Sequence, residues 1–275
     1  MSIPFQIAVD EERILRADFF PCQEKSRGLL IICHGFKGFK DWGFFPQVAQ
    51  ELSTLVDVIT FNFTNNGVGE ELTTFSELDR FAQNTYSSEL EDLHLLIQRV
   101  KEQKIKALPH HLSTAPLFLL GHSRGGGVSL IYALDHSTEI KAVISWNGIT
   151  NVDLFSTEVK EEMRLKGRAY IPNARTKQQM PLDKIILDDM EQHHERFNII
   201  ERISEAPFPI ILIQGTNDSP HLRDGSSKIV EKNPAIKWVQ IPDGNHTFGA
   251  VHPYQGITKP LQEAIAQTKE FLSRF

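Results

Sequence analysis

A serine between two glycines is the first residue of this sequence whose setting predicts chemistry. The segment GHSRG, residues 121–125, follows a short apolar run and precedes a helix-like run. A Gly-x-Ser-x-Gly motif between a strand and a helix is typical of a nucleophile elbow, a sharp turn that exposes the serine hydroxyl. Because a serine is a poor nucleophile until a base takes its proton, Ser123 needs a histidine and a carboxylate nearby.

Both partners follow later apolar runs of strand length. Asp218 comes after the run Ile210 to Gln214, and His246 comes after the run Trp238 to Ile241. Open parallel sheets place their sites just beyond the carboxyl ends of the strands, and the triad then appears in the chain order Ser, Asp, His. The spacing therefore predicts that Ser123, Asp218 and His246 act together as catalytic residues.

Three other residues compete for these roles. His252 lies six residues after His246 and is a rival base. Asp153 follows an earlier apolar run and is a rival to Asp218 as the carboxylate. Asp243 is too close in sequence to His246 to orient its ring easily.

Two backbone N–H groups are predicted to form an oxyanion hole for the tetrahedral intermediate. One belongs to Arg124, directly after the nucleophile. The other is assigned to Phe36 in the loop HGFKG, residues 34–38, which follows the predicted strand Leu29 to Cys33.

The elements that would position these residues are read from hydrophobic periodicity. Helical stripes run over Ser87 to Lys104 and Leu261 to Phe275, and Phe5 to Val9 with Ile14 to Phe20 predict an antiparallel hairpin at the sheet edge. Alternation of strands and helices predicts an α/β fold: a mainly parallel sheet of the eight-stranded type with helices on both faces. The remaining predicted strands are Leu29 to Cys33, Val58 to Phe63, Leu117 to Leu120, Ala142 to Trp146, Ile210 to Gln214 and Trp238 to Ile241.

Residues 151–205 depart from this alternation of strands and helices. No buried strand is evident in them, and they contain two helix-like pieces at Thr157 to Leu165 and Leu182 to Ile203. This region is predicted to be a small helical cap inserted into a core of residues 1–150 and 206–275. Apolar side chains near the predicted site, most of them in the cap, are candidates for lining a substrate pocket. They are Trp146, Phe155, Tyr170, Met180 and Ile186.

On four segments the chain resembles the α/β-hydrolase superfamily: HGFKG at 34–38, GHSRG at 121–125, GTND at 215–218 and GNH at 244–246. Within it the pattern is similar to bacterial serine esterases related to the cinnamoyl or feruloyl esterases, and to the dienelactone-hydrolase and acyl-peptidase branches. The resemblance implies a Ser-Asp-His triad with no metal and no organic cofactor. Two departures are a serine where dienelactone hydrolases carry cysteine, and HGFKG in place of HGGG.

Composition excludes several other classes of protein. The chain has 275 residues, 29 Lys and Arg against 35 Asp and Glu, a net charge of −6 and two cysteines. Scattered basic residues disfavour nucleic acid as a partner, and no apolar run approaches the ~20 residues needed to cross a membrane. With no secretion signal and no disulfide framework, a cytoplasmic location is expected. The oligomeric state is left open.

The sequence therefore predicts a serine hydrolase that cleaves a small-molecule carboxylic ester, more readily a neutral than an anionic one, through an acyl-enzyme. Two enzymatic alternatives use the same triad, an acyl-peptidase and a thioesterase. A third is a non-catalytic binding protein on a hydrolase scaffold, since fold alone does not determine function.

Overall fold

An eight-stranded sheet and the helices beside it dominate the structure, a computed structural model that describes residues 2–275. The strands of this sheet are β1 (Ile3–Ala8), β2 (Ile14–Phe20), β3 (Leu29–Cys33), β4 (Asp57–Phe61), β5 (Leu117–His122), β6 (Ala142–Trp146), β9 (Ile210–Gly215) and β10 (Lys237–Ile241). Two further strands, β7 (Arg168–Pro172) and β8 (Gln179–Asp183), form a separate antiparallel hairpin. The helices are α1 (Phe45–Leu52), α2 (Leu78–Ala82), α3 (Tyr86–Lys101), α4 (Arg124–Asp135), α5 (Thr157–Lys166), α6 (Ile185–Gln192), α7 (Ile199–Arg202), α8 (Pro220–Lys232) and α9 (Lys259–Leu272).

The strands are ordered β1-β2-β4-β3-β5-β6-β9-β10 in the large sheet. The pairs β1–β2 and β2–β4 are antiparallel, and every other pair is parallel. The predicted α/β class, the mainly parallel sheet and the antiparallel hairpin at its edge are thus confirmed. Because parallel strands end at a common edge, the loops after β3, β5, β9 and β10 converge there.

The strands in the middle of the sheet form because both of their faces are covered. Every residue of β3, β4, β5, β6 and β9 is buried. Along β3, Ile31 packs into one apolar cluster and Ile32 into the cluster on the opposite face. Side chains alternate in this way in any strand, so a strand covered on both faces is apolar at most of its positions, and the few polar residues, such as Asp57 of β4 and Gln214 of β9, lie at or near the strand ends.

Four of the nine helices in residues 2–275, α3, α5, α7 and α9, start after a residue whose side chain caps them. Thr85 precedes α3, and its Oγ1 accepts a hydrogen bond from the N–H of Ser88 at 3.0 Å. Thr258 caps α9 in the same way, with Pro260 in the first turn, where a missing N–H costs nothing. None of the helices in residues 2–275 is long and apolar enough to span a membrane.

The region from residue 151 to 205 differs in part from its predicted helical content. Helix α5 (Thr157–Lys166) matches the first predicted piece, but the second is wrong at its start, because Leu182 lies in strand β8 and helix resumes at α6. Hydrophobic periodicity does not predict the β7–β8 hairpin, because Pro172 and Pro181 lie within its strands and a proline normally argues against a strand. Strand β8 packs against α2 of the core. The division into core and cap stays a prediction.

Candidate active site

The three predicted catalytic residues come together at the edge of the sheet where the parallel strands end. Ser123 Oγ lies 2.9 Å from His246 Nε2, and His246 Nδ1 lies 2.8 Å from Asp218 Oδ1. Asp218 is buried, whereas the side chain of His246 is 41% exposed. A proton on the serine hydroxyl therefore has a direct path to the imidazole, and the carboxylate favours the tautomer with its hydrogen on Nδ1.

Ser123 sits in a strained turn between β5 and α4. Its φ of 56° and ψ of −121° are unusual for a residue with a side chain. The turn requires glycine on both sides, because a Cβ on Gly121 would lie 2.1 Å from the carbonyl oxygen of Gly125. A Cβ on Gly125 would in turn lie 2.3 Å from the carbonyl oxygen of Cys33. The Gly-x-Ser-x-Gly spacing is thus a packing requirement of the sharp turn.

The strain at position 123 gives a stability prediction that does not depend on activity. Glycine adopts a positive φ without the steric cost that alanine pays, which is on the order of 1–3 kcal/mol for such a conformation. We expect Ser123→Gly to unfold at higher urea concentration than Ser123→Ala. Equal midpoints for the two variants would show that the turn relaxes when the hydroxyl is removed.

The rival residues are engaged elsewhere. His252 Nδ1 accepts a hydrogen bond from the N–H of Gly43 at 2.9 Å. Asp153 binds Lys160 Nζ at 2.5 Å, close to the start of α5. Asp243 is exposed, and its N–H donates to the hydroxyl of Thr216 at 2.9 Å.

The surroundings of Asp218 keep it ionised. Burial alone would raise its pKa, but hydrogen bonding to His246, with further help from the N–H of Ser219 and from Gln214, lowers the pKa below its usual value. Ser219 N–H donates to Oδ1 at 2.8 Å, and Gln214 Nε2 donates to Oδ2 at 3.2 Å. An ionised carboxylate that receives these bonds is suited to stabilise an imidazolium.

The predicted oxyanion loop is held in place by a buried histidine. His34 Nδ1–H donates to the carbonyl oxygen of Gly35 at 3.0 Å, and Nε2 accepts from the N–H of Phe63 at 3.3 Å. Burial lowers the pKa of His34 to about 4, so the ring is neutral and has one donor and one acceptor to match these partners. Within residues 2–275, the N–H groups of Phe36 and Arg124 have no backbone acceptor. Both are free for the oxyanion role predicted for them.

The side chain of Arg124 is completely buried beneath the turn. Its Nε donates to Glu89 Oε2 at 3.0 Å and its Nη2 to the carbonyl oxygen of Asn84 at 3.0 Å. The guanidinium carbon lies 4.0 Å from the centre of the Tyr86 ring. Burial raises the pKa of Glu89, while the guanidinium favours its charged form. This ion pair ties α3 to the first residue of α4, whose N–H is a predicted oxyanion donor.

Removing the charge of Glu89 is expected to destabilise the fold. The variant Glu89→Gln leaves the guanidinium buried without a counter-ion, which costs about 3–5 kcal/mol in comparable cases. A matched control is Glu201→Gln, because Glu201 pairs with Lys232 at 2.9 Å with side chains 62% and 44% exposed. Exposed pairs contribute at most about 1 kcal/mol. Urea unfolding measures both, and similar losses in the two variants would contradict a special role for the buried pair.

The predicted pocket residues occupy different environments. Phe155 lies near the oxyanion loop, with its ring centre 6.0 Å from that of Phe36. Trp146 instead faces α9, where its Nε1 donates to Thr268 at 3.0 Å, so its placement in the pocket is not reproduced. Side chains alternate along β6, and position 146 lies in the apolar cluster that includes α9, opposite the cluster that contains Val143. Tyr170 is 53% exposed, beside the buried Ala169. The other two, Met180 and Ile186, are fully buried between the hairpin, α6 and the core.

An open cleft of about 420 Å³ borders the site on the side of Asp218 and His246. Its remaining lining consists of five polar side chains and one leucine: Asn217, Ser219, His221, Asn245, Thr247 and Leu222. Among the described residues, 2–275, no group of three or more His, Cys, Asp or Glu side chains is arranged to hold a metal ion.

Several residues beside the site were missed by the sequence analysis, including His34, Glu89 and His122. His122 Nε2 lies 2.7 Å from the carbonyl oxygen of His246. Position 34 was noted only as part of the HGFKG loop and position 122 only as part of GHSRG. The signal that could have found His34 and His122 is a histidine at the end of an apolar strand. Glu89 had none, since it appears as one more charged residue in an amphipathic helix.

Comparison with solved structures finds the same fold in proteins of low sequence identity. Est1E from Butyrivibrio proteoclasticus, also solved with bound ferulic acid, has a TM-score of 0.68 at 15% identity, over 98% of each chain. A monoglyceride lipase from Saccharomyces cerevisiae has a TM-score of 0.70 at 19% identity, over 100% of this chain and 95% of its own. A dienelactone hydrolase from Anabaena variabilis has a TM-score of 0.66 at 14% identity, over 100% and 98%.

No curated protein matches the sequence. Residues 24–196 match the family described as serine aminopeptidase S33, a segment that extends from before β3 to beyond α6 and includes the predicted nucleophile and oxyanion loop. These residues are more than half of the chain. The chain therefore belongs to the serine aminopeptidase S33 family and has the α/β-hydrolase fold of the known hydrolases that it resembles.

Proposed function

We propose that this protein hydrolyses carboxylic esters through an acyl-enzyme formed on Ser123. The observation that carries the proposal is the continuous hydrogen-bonded path from Ser123 Oγ through His246 to Asp218, with the two distances of 2.9 Å and 2.8 Å. Both lie within the range of hydrogen bonds that transfer protons in catalysis. The strained turn at Ser123 and the hydrogen-bond donors at Phe36 and Arg124 support it further.

In the proposed mechanism, Ser123 Oγ attacks the ester carbonyl carbon while His246 Nε2 takes the hydroxyl proton. The carbonyl oxygen becomes an oxyanion that accepts hydrogen bonds from the N–H groups of Phe36 and Arg124. His246 then gives the proton to the departing alcohol oxygen, and the C–O bond to the alcohol breaks. Water, deprotonated by His246, attacks the acyl-enzyme and releases the acid by the same steps. Asp218 stays ionised and stabilises the imidazolium in each half-reaction.

The surroundings of the path favour an uncharged substrate. The cleft beside His246 is lined by polar side chains without lysine or arginine, and Asp218, the one carboxylate in it, already binds His246. Lys37 Nζ, on the oxyanion loop, donates to the carbonyl oxygen of Pro172 at 3.3 Å. The partly exposed rings of Phe36, on the oxyanion loop, and Phe155 lie with their centres 6.0 Å apart, and the buried ring of Phe81 lies 5.4 Å from that of Phe36. An apolar or aromatic acyl group and a neutral alcohol are the groups that this lining accepts.

The experiment is a hydrolysis panel combined with covalent labelling. The purified protein is offered short acyl, aryl and ferulate esters, a thioester and aminoacyl arylamides, and is treated with a fluorophosphonate probe. We expect ester hydrolysis and a single label on the peptide that contains Ser123. Faster cleavage of the arylamides would favour the acyl-peptidase alternative, and faster cleavage of the thioester would favour a thioesterase. No hydrolysis and no label would leave a binding protein on a hydrolase scaffold as the better description.

A further inference from the structure

One buried amide connects the two loops that carry Asp218 and His246. Asn147 directly follows β6, and its Oδ1 accepts a hydrogen bond from the N–H of Gly215 at 2.8 Å. Its Nδ2 donates to the carbonyl oxygens of Asn245 at 3.2 Å and His246 at 2.9 Å. A single side chain therefore spans the ends of β6 and β9 and the loop after β10.

The backbone at this position explains why an asparagine is present. Asn147 has a φ of 45° and is 1% exposed, and its N–H donates to the carbonyl oxygen of Ile213 at 3.0 Å. Glycine, asparagine and aspartate adopt this left-handed conformation most readily. Of these three, only asparagine offers both the acceptor that Gly215 requires and the donor that the two carbonyl oxygens require.

A second buried side chain fixes the same carbonyl oxygen. His122 Nε2 lies 2.7 Å from the carbonyl oxygen of His246. Burial lowers the pKa of His122 to about 3, so its ring is neutral and must carry its hydrogen on Nε2 to make this bond. The carbonyl group of His246 thus accepts two buried hydrogen bonds, while its imidazole is 41% exposed and in contact with the open cleft. The anchored backbone therefore sets the position of the imidazole together with the hydrogen bond to Asp218 and the His122 ring, whose centre lies 5.0 Å away.

We infer that Asn147 is a positioning residue for the proposed triad: it holds the Gly215 turn and the His246 backbone at a fixed separation. The inference rests on the proposed function. It does not place Asn147 in contact with the substrate, since its amide is saturated by the three backbone groups named above. Loss of the bridge would let His246 move relative to Asp218 and Ser123, and displacements near 1 Å can lower a rate by about 100-fold.

Two substitutions test this role without disturbing the backbone conformation. Asn147→Gly keeps the positive φ and removes the bridge. Asn147→Asp keeps the shape and the acceptor for Gly215, but turns a carboxylate oxygen towards two carbonyl oxygens. We expect kcat to fall about 100-fold in the glycine variant and further in the aspartate variant, with KM within about 3-fold of the wild type, because the bridge acts on proton transfer and not on the substrate pocket.

A spectroscopic measurement separates positioning from general stability. The proton between His246 Nδ1 and Asp218 should give a far-downfield proton NMR signal in the free wild-type protein, and we expect that signal to weaken or disappear in both variants at temperatures where circular dichroism shows them folded. The matched control is Asn198→Asp, because Asn198 caps α7 through its Oδ1 and aspartate can do the same. It adds the same charge and should keep both kcat and the NMR signal.

The outcomes distinguish this inference from the proposed function. If the wild type hydrolyses esters but the folded Asn147 variants retain its kcat and its downfield signal, the positioning role is wrong. If the wild type neither hydrolyses esters nor reacts with the probe, the proposed function fails. The NMR comparison then still reports whether Asn147 holds His246 against Asp218.

Discussion

Replacing Ser123 by alanine is expected to lower kcat for ester hydrolysis by about a million-fold and to abolish fluorophosphonate labelling. The variant keeps the predicted oxyanion donors of Phe36 and Arg124, so a residual rate above that of water is expected. Binding of the ester should change little, because the removed oxygen makes its bond to the substrate only during the reaction. Steady-state kinetics after careful removal of wild-type contamination measure the effect.

The control for this variant is Ser227→Ala, on the surface side of α8, where the hydroxyl donates to Glu231 at 3.2 Å. It should retain the wild-type rate and the label. If Ser123→Ala hydrolysed esters at a comparable rate, the acyl-enzyme mechanism would be wrong and the activity would belong to another group or to a contaminant.

The parts of this site that could be predicted from sequence are those with local signals. The turn at Ser123 could be recognised in the sequence because its glycines are required by contacts within a few residues. A Cβ on Gly121, for example, would lie 2.1 Å from the carbonyl oxygen of Gly125. Asp218 and His246 were found because parallel strands end at one edge, so a polar residue after each apolar run falls near the others. The central strands could be predicted because burial on both faces makes their sequences predominantly apolar.

The missed parts depend on contacts between distant segments. Arg124 and Glu89 are 35 residues apart and become a buried ion pair only when α3 packs against α4. Asn147 and His246 are 99 residues apart in the chain, and their hydrogen bond needs three neighbouring strand ends in register. The β7–β8 hairpin was missed because it is short, half exposed and interrupted by prolines.

The predicted pocket failed at Trp146 for a different reason. An aromatic side chain at the end of a strand faces one side of the sheet or the other, and its sequence position does not say which. In the structure, Trp146 packs against Phe44 and edge-on against Phe248, on the face that α9 covers. Which residues line a pocket depends on how distant segments pack in the folded chain, so a list compiled from residue type alone mixes lining residues with core residues.

Replacing Asp218 by alanine is expected to lower kcat by about 10⁴-fold, the second-largest effect at this site. The variant removes the carboxylate that fixes the His246 tautomer and stabilises the imidazolium in both half-reactions. Ser123 and the oxyanion donors stay in place, so the fluorophosphonate label should form slowly and still on Ser123. Controls are Asp153→Ala and Asp243→Asn, which remove the rival carboxylates and should leave kcat near the wild-type value.

Asp218→Asn should be the milder change, because the structure provides a way to accommodate it. Gln214 Oε1 is buried without a partner, while Gln214 Nε2 donates to Asp218 Oδ2. Rotation of the Gln214 amide would let Oε1 accept from the new asparagine Nδ2 and leave the oxygen facing His246 Nδ1 and Ser219 unchanged. The His246 tautomer then survives and only the negative charge is lost.

We therefore expect kcat of Asp218→Asn to lie between those of the wild type and Asp218→Ala, and combining it with Gln214→Leu should remove this advantage. If Asp218→Asn instead loses as much activity as Asp218→Ala while Gln214→Leu alone stays active, the amide does not rotate and the asparagine forces His246 into the wrong tautomer.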